Sequence, residues 1–344
     1  MRAMPHATIR DVAREASVSV ASVSRALNGH SNVRPQLRDH IRAVADRLGY
    51  VPHAGARNLS LARSGTIGVA VPDLHGEFYS ELLRGMDREA SERGLHMLLM
   101  VVHDEAHRGV EALNTLRGRV DGLLVMAPQL SADALLAHLP ATMPAVLINC
   151  APDARHRPRL GIDNAAGAAA MVNHFAAEGR RRVVHIAGPE GNIDAEERRR
   201  GTQEACDRAG LDLVVLPGAF DEASGAAAAE RLLADGLPLD AIFAANDMMA
   251  IGALMALRRA GIDVPGRVAV AGFDDIPLAR LIAPSLTTVS VNIAGFGARA
   301  VERLAHILAG QDEHGAELCT PGIAIRESTR TSTINEDNEN RGTS

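Results

Sequence analysis

The stretch TIRDVAREASVSVASVSRALNG, residues 8–29, predicts two short helices joined by a tight turn. Thr8 can cap the first helix while Asp11, three residues later, completes a capping box. Ser19 can cap the second helix, and Asn28-Gly29 can end it because both residues tolerate positive φ. The pattern therefore predicts the start of a helix-turn-helix unit.

The second helix has one apolar face and one small, polar face. Val18, Val23, Ala26 and Leu27 form the stripe that we expect to be buried. Short outward side chains let a helix enter the major groove, where Arg25 can pair with guanine. A third helix is predicted from Pro35 to Gly49. Many three-helix bundles share this pattern, so pattern alone does not decide between a DNA-binding and a structural role.

Charge is distributed unevenly along the 344 residues. Residues 1–63 contain ten Arg and four acidic residues, a balance of +6, whereas the whole chain carries −6, which leaves −12 for the rest. A basic head on an acidic body favours contact between the head and a polyanion. A solvated Arg-rich face remains an equal alternative, since every basic residue apart from His is Arg.

The segment at residues 8–29 resembles the signature of the lactose-repressor (LacI/GalR) family of bacterial transcription regulators. Ser17 departs from it, because the family usually has Gly in the turn, and we expect either strained backbone geometry at Ser17 or a slightly different turn. The resemblance implies that the N-terminal end of the second helix reads bases. The residues it implies for DNA binding are Thr8, Ser19, Val20, Ala21, Ser22, Ser24, Arg25, Asn28 and Leu59.

Leu59 belongs to the next segment, YVPHAGARNLSLARSGTIG, residues 50–68. One or two helical turns from Ala56 to Ala62 would be marginal alone in water. The resemblance implies a hinge helix that folds on operator DNA and inserts Leu59 into the minor groove. The alternative is a plain linker whose Leu59 and Leu61 rest on the next domain.

Beyond Thr66 the chain alternates buried-strand patterns with amphipathic helices, the rhythm of parallel βαβ units. The pattern occurs twice, and the echoes are visible in EASERGL at 89–95 and EACDRAGL at 204–211. Two similar α/β halves predict a bilobed body with a ligand site at the carboxyl ends of the strands, between the lobes. The stretch TTVSVNIAGFGARAVERLAHIL, residues 287–308, is expected to cross back to the first lobe.

The body also resembles the family over nearly its whole length, most clearly in residues 244–289 and in GIAIRESTR, residues 322–330. The resemblance implies a periplasmic-binding-protein-like fold. Asn149 stands where several family members have Asp, so the identity of the ligand cannot be copied from a relative. The effector contacts that the resemblance implies are Phe78, Tyr79, Asn149, Arg198, Phe220, Asn246 and Asp274.

The chemistry of this set suits a polar, sugar-like ligand. Carboxylate, amide and guanidinium groups bond hydroxyls, and aromatic faces can pack on the C–H groups of a sugar ring. Purely structural roles stay open for these residues. Phe78 and Phe220 can be core residues, Arg198 lies in a run of three Arg, and Asp274-Asp275 can cap a helix.

Enzyme classes find little support in the sequence. It contains no phosphate loop, no GxGxxG after the first strand, no GxSxG and no HExxH, and its 14 His lack ligand spacing. We therefore expect no catalytic residues, no metal and no cofactor. A DNA-binding head fused to a sugar-metabolising enzyme is the runner-up, and a transport-type binding protein leaves the head unexplained.

The predicted fold is α/β: a three-helix head and hinge helix, then two parallel α/β lobes. The predicted domains are a helix-turn-helix domain at 1–51, a hinge at 52–65, a body at 66–330 and a disordered acidic tail at 331–344. Within the body, the first lobe takes about 66–163 and 292–319, and the second about 164–291 and 320–330.

The predicted function is a ligand-responsive transcription regulator, a repressor by family habit. It binds a palindromic operator in double-stranded DNA as a homodimer, and a small sugar-like effector sets its affinity. The tail has no heptad of apolar residues, which favours a dimer over a coiled-coil tetramer. The three widely spaced Cys favour a reducing compartment. With no apolar signal or membrane segment in the sequence, we expect a cytoplasmic protein without membrane contact.

Overall fold

The computed structural model of the chain describes residues 7–27, 32–50, 63–74, 76–102, 113, 115–139, 142–151, 157–236, 239–311 and 314–330. Asn28, Leu59, the predicted hinge helix and the tail from 331 lie outside the described residues. The chain divides into two compact units, Met1–Gly65 and Thr66–Ser344, called here the head and the body.

Three helices form the head: α1 Ile9–Glu15, α2 Val20–Leu27 and α3 Pro35–Arg47. The capping box of Thr8 and Asp11 is present. Ser17 lies in the turn between α1 and α2 with φ 55, which confirms the strained geometry expected of a Ser in place of Gly. The helices share a core of Val12, Ala13, Ala16, Val23, Ala26, Ile41, Val44 and Ala45.

The body contains two six-stranded sheets. Its strands are β1 Thr66–Val71, β2 His96–Val101, β3 Gly122–Met126, β4 Ala145–Ile148, β5 Arg159–Ile162, β6 Arg182–Ile186, β7 Asp212–Leu216, β8 Ala241–Ala244, β9 Ala269–Asp274, β10 Thr287–Ser290, β11 Ala316–Cys319 and β12 Gly322–Ala324. The first sheet has the order β2-β1-β3-β4-β5-β11 and the second the order β7-β6-β8-β9-β10-β12. All neighbours are parallel except β10 and β12. The repeated strand order is the structural form of the internal repeat.

Central strands are buried along their whole length, as in β3 and β9, because helices cover both faces of a parallel sheet. The body's helices are α4 Glu77–Glu92, α5 Ala132–His138, α6 Asn164–Ala177, α7 Ile193–Ala209, α8 Glu222–Ala234, α9 Asp247–Arg259 and α10 Ile293–Leu308, with a 3₁₀ turn at Pro277–Arg280.

Three helix pairs cross closely at glycine: α4 with α10, α6 with α7, and α8 with α9. A Cβ on Gly85 would overlap the carbonyl oxygen of Ala294, and one on Gly201 would lie 2.6 Å from the carbonyl oxygen of Ala165. These glycines let two backbones approach where a side chain would hold them apart.

The chain passes between the lobes three times. It leaves the first sheet after β5 to begin α6, and it returns after β10 to α10, which packs on α4, β3 and β4. β11 then adds to the first sheet, and β12 to the second. Each lobe is therefore built from separate segments of sequence.

Candidate functional site

The second helix of the head presents a small surface to solvent. Val20 is 42% exposed, and Ala21 and Arg25 are also exposed, whereas Val23 and Ala26 are buried against the other two helices. A short, apolar helix end followed by one guanidinium suits entry into a DNA groove.

Several predicted DNA contacts also hold the head together. Thr8 Oγ1 accepts from Asp11 N at 3.4 Å. Ser19 Oγ accepts from Ser22 N at 3.1 Å and lies 2.9 Å from Ser22 Oγ. Ser24 is half-buried. These short side chains fix the ends of α1 and α2, which sets the orientation of the exposed surface.

Arg25 differs from Arg14 and Arg47 in its surroundings. Arg14 pairs with Asp11, and Arg47 pairs with Glu15 at 2.9 Å. Within the described part of the chain, no carboxylate pairs with Arg25. Its guanidinium is thus available to a base or a phosphate.

In the body, the predicted effector residues gather at the carboxyl ends of the strands, where parallel α/β sheets bind ligands. Phe78 and Tyr79 follow β1, Asn149 follows β4, Phe220 follows β7 and Asn246 follows β8. Asp274 ends β9, and Arg198 lies on α7, the helix after β6.

Asn149 joins the two lobes. It is buried in the left-handed conformation, with φ 46, directly after β4 of the first lobe. Its Nδ2 donates to Oδ2 of Asp194, in the first turn of α7 in the second lobe, at 3.0 Å. Asp194 Oδ1 in turn accepts from Asn164 Nδ2 at 2.8 Å. Burial raises the pKa of Asp194, and the nearby Arg198 opposes that shift.

Arg198 is buried and has contacts on every side. Its Nε donates to Asn164 Oδ1 at 2.9 Å, and its Nη1 donates to the carbonyl oxygen of Ala245 at 2.6 Å. Nη2 lies 3.3 Å from Oδ1 of Asp274. The guanidinium carbon lies 3.8 Å from the centre of the Phe273 ring, a cation–π contact. Arg198 therefore acts as a brace between α6, α7 and the ends of β8 and β9.

Asp274 is buried with φ 112, a backbone conformation that L side chains rarely adopt. Burial raises its pKa to about 7; Arg198 opposes the shift and Asp194 adds to it. Its ion pair with Arg198 lacks hydrogen-bond geometry, so Oδ1 accepts no hydrogen bond from the described residues. Oδ1 of Asn149 is a second buried acceptor without a donor among them.

Asn246 and Phe220 depend on each other. Asn246 caps α9 by accepting from Met249 N at 2.9 Å, and its Nδ2 donates to the carbonyl oxygen of Phe220 at 2.8 Å. Phe220 has φ 65, and its ring packs on Gly188, where a Cβ would lie 2.5 Å from the ring carbons. Asn246 thus positions an aromatic ring as well as lying at the site itself.

Phe78 and Tyr79 form an edge-to-face pair with ring centres 5.4 Å apart. Both are half-buried in the first turn of α4. The adjacent Glu77 accepts at Oε2 from Leu278 N of the second lobe at 3.3 Å. This contact, together with Ile193 N donating to the carbonyl oxygen of Pro128 at 3.1 Å, adds to the link between the lobes.

Sequence reasoning missed four polar residues of the site: Asn164, Asp194, Glu197 and Asp247. Glu197 Oε2 accepts from Asn164 Nδ2 at 3.2 Å. Asp247 is buried beneath Asp274, accepting from Thr288 Oγ1 at 2.5 Å, and burial raises its pKa well above the usual range. A usable signal was present, since all four lie near the start of a helix that follows a strand. We call Asn149, Asn164, Asp194, Glu197, Arg198 and Asp274 the interlobe cluster.

Two negative findings concern the described residues alone. No helix there is long and apolar enough to cross a membrane. No group of three or more His, Cys, Asp or Glu in that part of the chain is arranged to hold a metal ion.

Two family descriptions match the chain. "Bacterial regulatory proteins, lacI family" matches residues 8–53, and "Periplasmic binding protein-like domain" matches residues 172–329. The first covers the helix-turn-helix, and the second covers most of the second lobe with α10 and β11.

The chain is similar to transcription regulators over nearly their full length. The HTH-type transcriptional regulator GalS of Salmonella typhimurium is 36% identical over 93% of this chain and 95% of its own. The HTH-type transcriptional repressor CytR of Escherichia coli is 32% identical over 94% of this chain and 96% of its own. A structure of the lac repressor dimer bound to operator and the anti-inducer ONPF has a TM-score of 0.87 at 26% identity, covering 95% of this chain and 100% of that one. These relatives are named for regulation rather than catalysis. The chain belongs to the LacI family of bacterial regulatory proteins.

Proposed function

We propose that the protein is a ligand-responsive repressor of transcription, which binds a palindromic operator as a homodimer and responds to a small polyhydroxylated effector between its lobes. One observation carries the proposal. A helix-turn-helix with an exposed Arg25 occurs in the same chain as a buried interlobe cluster, and among the described residues Arg25 has no carboxylate partner and two acceptors of the cluster have no donor.

The DNA-binding role is assigned to the head. Val20, Ala21 and Arg25 are the base-reading candidates because they are exposed on α2. Thr8, Ser19, Ser22 and Ser24 orient the helices or contact phosphates. Operator binding by the lac repressor dimer, of similar fold over 95% of this chain, supports this assignment.

The predicted domain limits are part of the proposal. We assign DNA binding to 1–51, the hinge to 52–65, with Leu59 in the minor groove, and effector binding and dimerisation to 66–330. We assign Asn28 to the contact with DNA, and we assign no contact to the tail from residue 331. Such a protein works in the cytoplasm, where its DNA is.

The effector role is assigned to the interlobe cluster and the rings beside it. Asn149 and Asp274 are the direct polar contacts because each keeps a buried acceptor without a donor. Phe78, Tyr79 and Phe220 supply ring surfaces. Arg198 and Asn246 form most of their hydrogen bonds with other groups of the protein. They therefore act chiefly by positioning Asp274 and Phe220.

The homodimer is supported by exposed apolar side chains at equivalent edges of the two sheets. β2 exposes Leu98 and Leu99, and β7 exposes Val214 and Val215, at 39–42% each. An uncovered edge strand with large apolar side chains favours association. In a two-fold dimer the same surface is covered on both subunits.

Replacing Leu98 with Lys is expected to shift the protein from dimer to monomer and to weaken operator binding, as measured by analytical ultracentrifugation and DNA titration. Lys at exposed Leu318, on the opposite edge strand β11, is the matched control and should leave the dimer intact. A Leu98→Lys protein that stays dimeric would place the interface elsewhere.

Fluorescence anisotropy tests the whole function. The purified protein is titrated onto DNA from upstream of its own gene, onto neighbouring promoters and onto random DNA, with and without a panel of polyols and nucleosides. We expect tight, salt-sensitive binding to one palindrome that one compound changes. Equal binding to all DNA, unchanged by every compound, would refute the proposal.

A further inference from the structure

The interlobe cluster contains more carboxyl groups than cationic groups. Asp194, Glu197 and Asp274 face the single guanidinium of Arg198 within it. Asp194 and Asp274 are both buried, and burial raises the pKa of Asp274, with the charge on Asp194 adding to that shift. Charges removed from water interact strongly, so a further anion entering the cluster meets repulsion that solvent does not screen.

The one cation is already engaged by the protein. Arg198 donates to Asn164 and to the carbonyl oxygen of Ala245, pairs with Asp274 and stacks on Phe273. A phosphate or carboxylate that recruited Arg198 would have to break some of these contacts. The buried Asp274 would then lose its counter-charge, which is costly in a buried pair.

Three helix N-termini beside the cluster, which ordinarily favour anions, are capped by the chain's own side chains, whereas α4 has no side-chain cap and carries Glu77 in its first turn. The side chains of Asp163, Asn192 and Asn246 accept from backbone amides at the starts of α6, α7 and α9. Asp194 and Asp247 lie in the first turns of α7 and α9. The partial positive charge of these termini is thus complemented by the chain's own side chains.

The unsatisfied buried atoms of the interlobe cluster are acceptors, one in each lobe. Oδ1 of Asn149 in the first lobe and Oδ1 of Asp274 in the second are buried and accept no hydrogen bond from the described residues. Hydroxyl and amino groups supply donors, whereas a phosphate or carboxylate group supplies acceptors only. Two acceptors placed against an anion would stay unsatisfied, which is costly for buried polar groups.

We propose that the effector is a polyhydroxylated molecule without negative charge, whose donors bridge Asn149 and Asp274, and that phosphorylated or carboxylated sugars are excluded. This inference rests on the proposed function and narrows its ligand class. Sugars, nucleosides and amino sugars satisfy it; sugar phosphates and sugar acids do not.

The test compares ligands of nearly equal shape that differ in charge. Titration calorimetry on the full-length dimer uses glucuronamide against glucuronate and galacturonamide against galacturonate. Glucose, galactose and ribose are compared with glucose 6-phosphate, galactose 6-phosphate and ribose 5-phosphate. We expect binding by uncharged members, with each anionic partner at least about tenfold weaker, because an anion held beside a buried carboxylate is repelled with little screening by solvent.

Two variants separate charge from shape. Asp194→Asn removes one buried carboxylate. We expect it to reduce the difference in affinity between the amide and the acid ligand several-fold. Glu230→Gln removes the same charge from an exposed position on α8 and should leave that difference unchanged. Retained operator binding shows that each variant is folded.

Anionic ligands that bind as well as their uncharged partners would overturn the inference while leaving the proposed function intact. A difference in affinity that Asp194→Asn does not change would also overturn the inference, since anionic ligands would then be excluded by their shape rather than by their charge. If no compound binds while operator binding is retained, both the polyol effector and this inference are refuted, but the DNA-binding role is not.

Discussion

At the scale of single residues, Asp274 links the structure of the body to a measurable pH dependence. Its carboxyl is buried at the end of β9 and faces Arg198, Asp194 and Asp247, with Asp275 next in sequence. Burial raises its pKa to about 7, so near neutrality it is partly protonated in the free protein. A ligand hydroxyl donates to the ionised carboxylate, so binding favours loss of that proton.

We therefore expect effector affinity to be constant above about pH 7 and to fall as the pH drops below it, by about tenfold per unit. Calorimetry between pH 5.5 and 8, in buffers of different ionisation enthalpy, measures both the affinity and the proton released. Asp274→Asn should bind more weakly and lose this dependence. Affinity that improves on acidification would mean that the ligand prefers the protonated carboxyl.

Residue-scale contacts were predictable from sequence where both partners lie within one turn. The Thr8–Asp11 box and the Ser19 cap follow from spacing alone. Asn149 and Asp194 lie 45 positions apart on different lobes, and their hydrogen bond depends on how the two sheets meet. Sequence reasoning therefore named Asn149 through resemblance and missed Asp194 and Asn164.

At the scale of elements, the alternation of strands and helices and the repeat were predictable because each central strand is a continuous apolar run. The short strands β5, β11 and β12 were not identified individually. Each has three or four residues with mixed burial and depends on a neighbour already in place. The 287–308 segment was expected to cross to the first lobe. Only α10 does so, packing on α4, because the start of the segment forms β10 beside β9 in the second sheet.

The α4–α10 crossing gives a prediction about stability. Gly85→Ala places a Cβ against the Ala294 carbonyl, so the helices must separate. We expect a loss of about 1–3 kcal/mol in the free energy of unfolding, as is typical of overpacked sites. Ser91→Ala, exposed on the same helix, should change it by less than about 0.5 kcal/mol. Urea denaturation compares the stability of the two variants. Equal midpoints would mean that the two helices move apart at the crossing without loss of stability.

The recognition helix gives a prediction about DNA. Arg25→Ala is expected to cost about 1–3 kcal/mol of operator affinity per subunit if its guanidinium reads a base. Random DNA should then lose much less. Arg42→Ala removes the same charge from an exposed position on α3 and should weaken operator and random DNA alike, if it acts at all. Equal losses for Arg25→Ala on both DNAs would make Arg25 a phosphate contact.

At the scale of the whole molecule, an effector acts only through its different affinity for two arrangements of the lobes. The hydrogen bonds that join the lobes among the described residues include Asn149 to Asp194, Ile193 to Pro128 and Leu278 to Glu77. The Asn149 amide is a neutral donor to a buried carboxylate. We therefore expect the charge state of position 149 to set how readily the lobes close.

Asn149→Asp tests this directly. The new carboxylate would face Asp194 where Nδ2 now donates at 3.0 Å, and two buried carboxylates cannot both stay ionised at that distance. At pH 7.5 we expect open lobes, effector affinity at least about tenfold lower and a weaker effect of effector on operator binding. At pH 5, one shared proton restores a donor and the contact. Small-angle scattering and calorimetry at the two pH values measure closure and affinity.

Asn149→Gly is the matched control, because Gly tolerates the left-handed backbone at this position and introduces no charge. It should lower affinity to a similar extent at both pH values, through loss of the amide alone. If Asn149→Asp behaves like Asn149→Gly at pH 7.5, repulsion plays no part and the amide is simply one of the hydrogen bonds between the lobes. If Asn149→Asp closes as well as the unmodified protein, the lobes are held by Pro128 and Glu77 instead, and coupling between effector and operator must run through that side of the interface.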